Sequence, residues 1–226
     1  MLEKLNSKIA ELIGMHTGDG TLYRTNTGTV WELRGALNEK DYYYDNVIPL
    51  LSSIFNKEFK PKFRSGGKNG CFGVQICKRE VTSFFIDYGF KPGRKTHTVR
   101  IPDYIKKSNK QVKLNFIKGL FDTDGCLRFD KNGTNRNCYP KIEFGSASEK
   151  LIEDLSLLLK ELKFNNYTWK SRNISKLCIA GKIMLKKWIK EIKPKNPKHL
   201  NKYETFQKLG YVLPNAEVAQ PGTAQT

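Results

Sequence analysis

The chain has 226 residues, 38% hydrophobic and 27% charged, with 40 Lys and Arg against 22 Asp and Glu, a formal charge of +18. That length allows a real core in one large or two small domains, and no apolar run reaches the length of a membrane span. The positive charge is spread along the chain instead of gathered in one tail, which argues against membrane-surface binding and for a polyanionic partner.

The start, Met1 to Lys8, is too polar for a signal peptide. The expected location is the cytoplasm or nucleoid of a prokaryote, or the interior of an organelle, and not outside the cell. Cys71, Cys77, Cys126, Cys138 and Cys178 are odd in number and lack a Cys-x-x-Cys pair, so they read as reduced thiols. His16, His97 and His199 lie far apart and have no metal-ligand companion at zinc-site spacing.

In chain order, residues 5–19 read as an amphipathic helix with Leu5, Ile9, Leu12 and Ile13 on successive turns. His16 lies on this helix and reads as an interfacial or core residue. Residues 21–37 read as two strands turning at Asn26-Thr27-Gly28. Asp41 to Asn56 reads as a helix, Lys60–Arg64 and Phe72–Lys78 as a second hairpin, and Val81 to Tyr88 as a short helix. Gly89 to Tyr104 is an irregular connection rich in Pro, Gly and Lys.

The order then repeats. A helix over 112–124 is followed by strands at Cys126–Phe129 and Lys141–Phe144, joined by a polar loop from Asp130 to Asn137. A helix from Ser148 to Leu162, a hairpin of Tyr167–Arg172 with Ser175–Ala180, a helix over Ile183–Ile192 and a terminal helix near Lys202–Leu209 complete it. The expected fold is α+β, with two αββαββα halves spanning 1–110 and 111–213. Residues 214–226 lack Lys, Arg and aromatics and read as a flexible tail.

Two stretches organise this repeat: Glu11-Leu-Ile-Gly-Met-His-Thr-Gly-Asp-Gly20 and Phe116-Ile-Lys-Gly-Leu-Phe-Asp-Thr-Asp-Gly125. In each, an apolar helix runs into a carboxylate followed by glycine. Gly14 and Gly18 share one helix face, as do Gly119 and Thr123, so the two helices can pack with backbones close together. Glycine after each aspartate is expected to take the left-handed conformation of a helix stop. Asp19 and Asp124 would face the negative helix ends and each other, an arrangement that calls for a cation.

These stretches resemble the signature helices of the LAGLIDADG homing endonucleases, with Gly119, Asp122, Asp124 and Gly125 in place and Thr17 at the earlier acidic position of the first copy. The resemblance implies two pseudo-twofold halves joined through these helices, with their antiparallel sheets forming a saddle over duplex DNA. It implies a monomer that needs no protein partner and cuts both strands of a long, specific site of intron or intein origin. The fold also serves RNA-splicing maturases and non-cutting DNA-binding proteins; retention of Asp19 and Asp124 favours cleavage. Asp19, Asp124, Gly18 and Thr123 would form the metal site, the two aspartates holding the ions. Mg²⁺ is the expected cofactor, with Mn²⁺ substituting and Ca²⁺ binding without supporting cleavage.

Lys40, after Glu39, stands where family members place a Gln-Lys pair beside the active site, and is expected to assist catalysis. Its counterpart in the second half is Ser148, which predicts two inequivalent centres. Asp122 is expected to buttress the helix interface or support the site, and not to bind metal directly. Candidate DNA contacts on the strands and their turns are Arg24, Asn26, Glu32, Arg34, Arg64, Gln75, Lys78, Arg128, Asn135, Arg136, Lys141, Arg172 and Lys176.

Overall fold

The computed structural model describes residues 5–64, 70–133 and 136–213. The first half runs α1 (Ser7–Thr17), β1 (Gly20–Thr25), β2 (Gly28–Gly35), α2 (Lys40–Tyr42), α3 (Ile48–Phe55), β3 (Lys62–Arg64), β4 (Cys71–Ile76) and α4 (Arg79–Asp87). A short α5 (Asp103–Lys106) leads into α6 (Lys110–Asp124), β5 (Cys126–Lys131), β6 (Asn137–Ser146), α7 (Glu149–Glu161), β7 (Tyr167–Ser171), β8 (Ile174–Ala180), α8 (Lys182–Ile192) and α9 (Pro197–Leu209). Each half forms one four-stranded antiparallel sheet, ordered β1-β2-β4-β3 and β5-β6-β8-β7. The repeated order is the expected α+β architecture with pseudo-twofold halves.

Glycine spacing sets the centre of the molecule. A Cβ on Gly14 would stand 2.1 Å from the Phe116 carbonyl oxygen, and one on Gly119 would stand 2.0 Å from that of Glu11. Neither contact is physically possible, so only glycine lets α1 and α6 meet backbone to backbone. Higher up, the space that a Gly18 side chain would take is filled by Thr123, whose Oγ1 lies 2.3 Å from that Cβ position. A buried ion pair, Lys118 to Glu11 at 2.5 Å, closes the same seam.

Helix α1 serves two cores. Leu12 and Met15 join Trp31, Leu33, Val47 and Phe85 in the first half. Ile9, Ala10 and Ile13 pack with Ile117, Phe121, Leu155 and Trp188 of the second. Within each sheet the core face and the open face alternate with period two: Leu22, Trp31 and Leu33 are buried, while Thr21 and Tyr23 face out. The helices pack on the core side, and this leaves one bare face on each sheet.

Several boundaries differ from expectation, each for a local reason. The helix expected over Asp41–Asn56 begins with a 3₁₀ turn at Leu37–Glu39 and contains a π turn at Tyr43–Val47. Pro49 lacks an amide hydrogen and its ring collides with the carbonyl four residues back, so the turn before it widens. The terminal helix starts at Pro197 instead of Lys202, because Asn196 caps it by accepting from the Lys198 amide at 3.0 Å. Gly20 and Gly125 are not left-handed; the φ of Gly125 is −82°. Glycine is needed there because the chain turns straight from helix into strand: a Cβ would stand 2.4 Å from the His16 Cα at Gly20 and 2.2 Å from a Phe121 ring carbon at Gly125. Among the described residues, no helix is long and apolar enough to cross a membrane. The expected tail at 214–226 lies outside the described residues.

Candidate active site and nucleic-acid interface

Asp19 follows α1 directly, and Asp124 ends α6. Because those helices touch along their glycines, their last turns arrive together: the Asp124 Cβ lies 3.1 Å from where a Cβ on Gly18 would stand. Both carboxylates are open to solvent on one side, with protein around the rest. Burial first, then repulsion from Asp124, pushes the Asp19 pKa up to about 6, with Lys198 and Lys95 opposing. Burial likewise raises Asp124, against Lys95 and Lys198.

Those two lysines are the part of the site that sequence reasoning missed. Lys95, in the irregular connection, donates to the carbonyls of His16 (2.5 Å), Thr17 (2.6 Å) and Gly18 (2.5 Å). Lys198, in the first turn of α9, donates to the Thr123 carbonyl at 2.7 Å. Each ammonium therefore caps the negative end of one signature helix and sits close to both carboxylates. Burial lowers the Lys95 pKa to about 8, although Asp124 and Asp19 pull it back up. The signal for both was a repeated motif, Lys91-Pro92 ahead of Lys95 and Lys193-Pro194 ahead of Lys198.

Lys40, expected to assist, is exposed, with its ammonium 5.8 Å from the Tyr44 ring centroid. The leading influences on the two carboxylates are burial, their mutual repulsion and Lys95 and Lys198, and Lys40 is not one of them. Its neighbour Glu39 is the buried one. Glu39 accepts from the Ala36 amide at 2.7 Å and from Asn196 Nδ2 at 2.6 Å, and lies 3.0 Å from Lys198 Nζ. Ser148, the counterpart of Lys40, is buried and donates to the Val99 carbonyl at 2.6 Å.

Asp122 is fully buried and accepts from the backbone amides of Lys195 (3.0 Å) and Asn196 (3.3 Å), so it pins the turn that carries Lys198. Burial pushes its pKa up to about 7, against the donors that favour the carboxylate. His16 is buried, accepts from Trp31 Nε1 at 3.0 Å, and is held neutral by burial. It is a core residue, as expected.

The open face of the first sheet collects Glu32, Arg34, Arg64 and Gln75. Glu32 accepts from Tyr23 at 3.0 Å and is paired with Arg34 and Arg64; Gln75 donates to the Tyr23 hydroxyl at 2.8 Å and accepts from Arg64. On the second sheet Arg128 reaches Asp130 (2.9 Å) and Glu143 (3.2 Å), Lys141 reaches Asp130 (2.7 Å), and Lys176 shares the face. Tyr23 belongs to this surface and was not foreseen.

Other candidates lie elsewhere. Arg24 has the parity of Leu22, toward the helical layer, and Asn26 sits in the turn beyond it. Lys78 has left its strand and places its ammonium 5.3 Å from the Phe59 centroid, against the first core. Arg136 lies over Tyr211 at 4.8 Å, and Arg172 takes the left-handed conformation (φ 54°) at a hairpin tip. Asn135 lies outside the described residues.

The donor set fits a small hard cation: two solvent-reaching carboxylates with raised pKa, which ionise more readily when positive charge is added. Asp19 and Asp124 would hold it. The carbonyls of Gly18 and Thr123 already accept from Lys95 and Lys198. Among the described residues no three His, Cys, Asp or Glu side chains form a metal-holding group, so protein carboxylates alone would leave coordination positions to waters or phosphate oxygens.

Residues 111–193 match the LAGLIDADG-like domain. The second half of the chain thus carries a LAGLIDADG-like domain. Variants of the homing endonuclease I-DmoI share its fold, with TM-score 0.58 and 16% identity over 84% of this chain and 97% of that one. A variant of I-SmaMI gives TM-score 0.59 at 14% identity over 93% and 91%. I-DmoI has been solved in complex with DNA and Mn, and that structure gives TM-score 0.57 at 16% identity over 84% and 98%. Among curated proteins, an uncharacterized protein of Methanocaldococcus jannaschii is 26% identical over 164 residues, 70% of this chain and 17% of that protein. A probable translation initiation factor IF-2 of the same organism is 30% identical over 107 residues, 44% of this chain. Its replication factor C small subunit is 25% identical over 167 residues, 70% of this chain. The chain thus spans 9% of the length of each of these last two relatives.

Proposed function

We propose that this chain is a monomeric, site-specific endonuclease of the LAGLIDADG type that hydrolyses both strands of duplex DNA with a divalent ion, Mg²⁺ in the first instance. The observation that carries the reading is the convergence of Asp19 and Asp124 at the tips of two helices in backbone contact, each tip capped by a lysine. A divalent ion bound there would activate water and neutralise charge on the phosphate and the leaving oxygen. The chain's own groups do the rest. Lys95 and Lys198 offer positive charge beside a phosphate. Lys95, with its pKa near 8, can also exchange a proton near neutral pH. The bare faces carrying Arg34, Arg64, Gln75, Arg128 and Lys141 would enter the major groove and fix the register of the duplex.

The relatives support a mobile origin. Proteins with unrelated names each match this chain over a segment that is a small fraction of their own length, as expected of an element inserted into different hosts. An intein-type endonuclease is therefore favoured over an intron-encoded one.

The test is cleavage of duplexes selected by the chain from a randomised library. With Mg²⁺ or Mn²⁺ both strands should be cut, and with Ca²⁺ the duplex should be bound but left intact. Asp19→Asn or Asp124→Asn should abolish double-strand cutting and leave binding in place. Full cutting by either variant would refute the assignment of the site.

A further inference from the structure

The outer strand of the second sheet carries an aromatic surface for which the chemistry above has no use. In β7, Lys170 reaches Glu149 of α7 at 2.8 Å, which fixes the helix-facing parity of the strand. Tyr167 and Trp169 therefore stand on the opposite, bare face. Their rings stack at 5.6 Å with an interplanar angle of 29°. Across the ladder Trp169 pairs with Lys176, whose ammonium lies 5.9 Å from the indole centroid. Ile174, next along β8 on that face, is 44% exposed, and Tyr167 is 50% exposed. The second core lies on the other side, under Leu177 and Ile179. A stack of this size left in water on a sheet face calls for an occupant.

The register shows what the first sheet puts in the same place. There the cross-strand row is Arg34, Gly73, Lys62; in the second sheet it is Gly145, Lys176, Trp169. Lys62 on the outer strand of one half is thus matched by an indole in the other, and the row keeps a single cation, Lys176, in place of two. In the major groove, Arg and Gln match the hydrogen-bonding edges of guanine and adenine. An aromatic or aliphatic surface matches only the C5-methyl of thymine. Lys176, Lys141 and Arg128 on the same face keep it attractive to phosphate.

We propose that Tyr167, Trp169 and Ile174 read thymine methyl groups in the half-site contacted by the second sheet. This rests on the DNA-endonuclease reading above and deepens it by assigning part of the specificity.

The experiment selects duplexes from a randomised library with the whole chain in Ca²⁺, then replaces thymine by deoxyuridine in one half-site at a time. Deoxyuridine lacks only the methyl group. In one half-site each replacement should weaken binding about fourfold, the equivalent of unburying one methyl-sized apolar group; in the other it should change nothing. Trp169→Ala should remove that sensitivity, and Trp169→Leu, which keeps an apolar surface, should retain it. Retention by the leucine variant separates loss of methyl recognition from loss of folding. Selection of sites without thymine overturns the proposal, as does an equal deoxyuridine effect in the parent and in Trp169→Ala. Failure to enrich any duplex overturns the endonuclease reading itself, a different outcome.

Discussion

Gly119→Ala asks whether the two signature helices really touch. The added methyl carbon would lie 2.0 Å from the Glu11 carbonyl oxygen and 2.9 Å from the Met15 amide nitrogen. Both obstacles are backbone, so no side chain can rotate away, and the helices must part locally by about 1 Å to restore an ordinary contact of roughly 3 Å or more. Overpacking of this kind costs about 3 kcal/mol at the upper end of the usual range. Alanine returns about 1 kcal/mol in helix propensity. The net expectation is a loss of about 2 kcal/mol, or about 4–8 °C in Tm for a chain of this size. Thermal unfolding followed by circular dichroism measures it. Gly145→Ala is the control, since its nearest neighbour to a new Cβ is Ile174 Cγ2 at 3.5 Å; it should move stability by less than about 0.5 kcal/mol. Combining Gly119→Ala with Gly14→Ala should cost less than the sum of the two, because helices already parted no longer clash. A Gly119→Ala chain as stable as the parent, or more so, would refute backbone contact between α1 and α6.

Two further outcomes follow from the charges at the site. The Asp19 pKa is raised in the fold to about 6 from 3.8, so the stability it contributes is present below about pH 4 and lost as pH rises through 6. Asp19→Asn should therefore melt above the parent at pH 7.5 and level with it at pH 4, and Mg²⁺ should raise the Tm of the parent but not of the variant; a lower Tm at pH 7.5 would contradict this. Glu39 pairs with Lys198, whereas among the described residues Lys95 has no carboxylate in an ion pair. Glu39→Gln should slow the nicking of one strand by about tenfold and the other far less, a modest share of the roughly 10²-fold effect of a directly acting group. Strand-specific end-labelling reads this out, and equal slowing of both strands counts against it.

The framework was legible because its determinants are local and periodic. Small residues four apart announce a close helix contact in the sequence itself, and Gly14, Gly18, Gly119 and Thr123 meet as that spacing requires. Alternation in Leu22, Trp31, Leu33 and their partners likewise fixes which face of a strand is buried. What failed was local detail set by sterics. Glycine after a helical aspartate suggested a left-handed cap, but the aromatic or imidazole ring one turn back, at Phe121 and His16, already excludes any side chain at Gly125 and Gly20.

The chemistry of the site was harder to read because it comes from residues outside any periodic element. Lys95 meets its carbonyl partners across 77 to 79 positions, and Lys198 meets its own across 75. No window of sequence contains both ends of such a contact. Sequence reasoning instead chose Lys40, which is adjacent to the right residue but exposed on the wrong side of it. In the Glu39-Lys40 pair it is the acid that is buried and the base that is exposed. Glu39 is the member of that pair that turns inward, and through Asn196 and Lys198 it ties the first half to the loop that completes the second. Asp122 holds the same loop from below. The second lysine is thus braced by two carboxylates, the first by none among the described residues. The chain carries two copies of one structural plan, and the copies differ in how firmly each holds its cation.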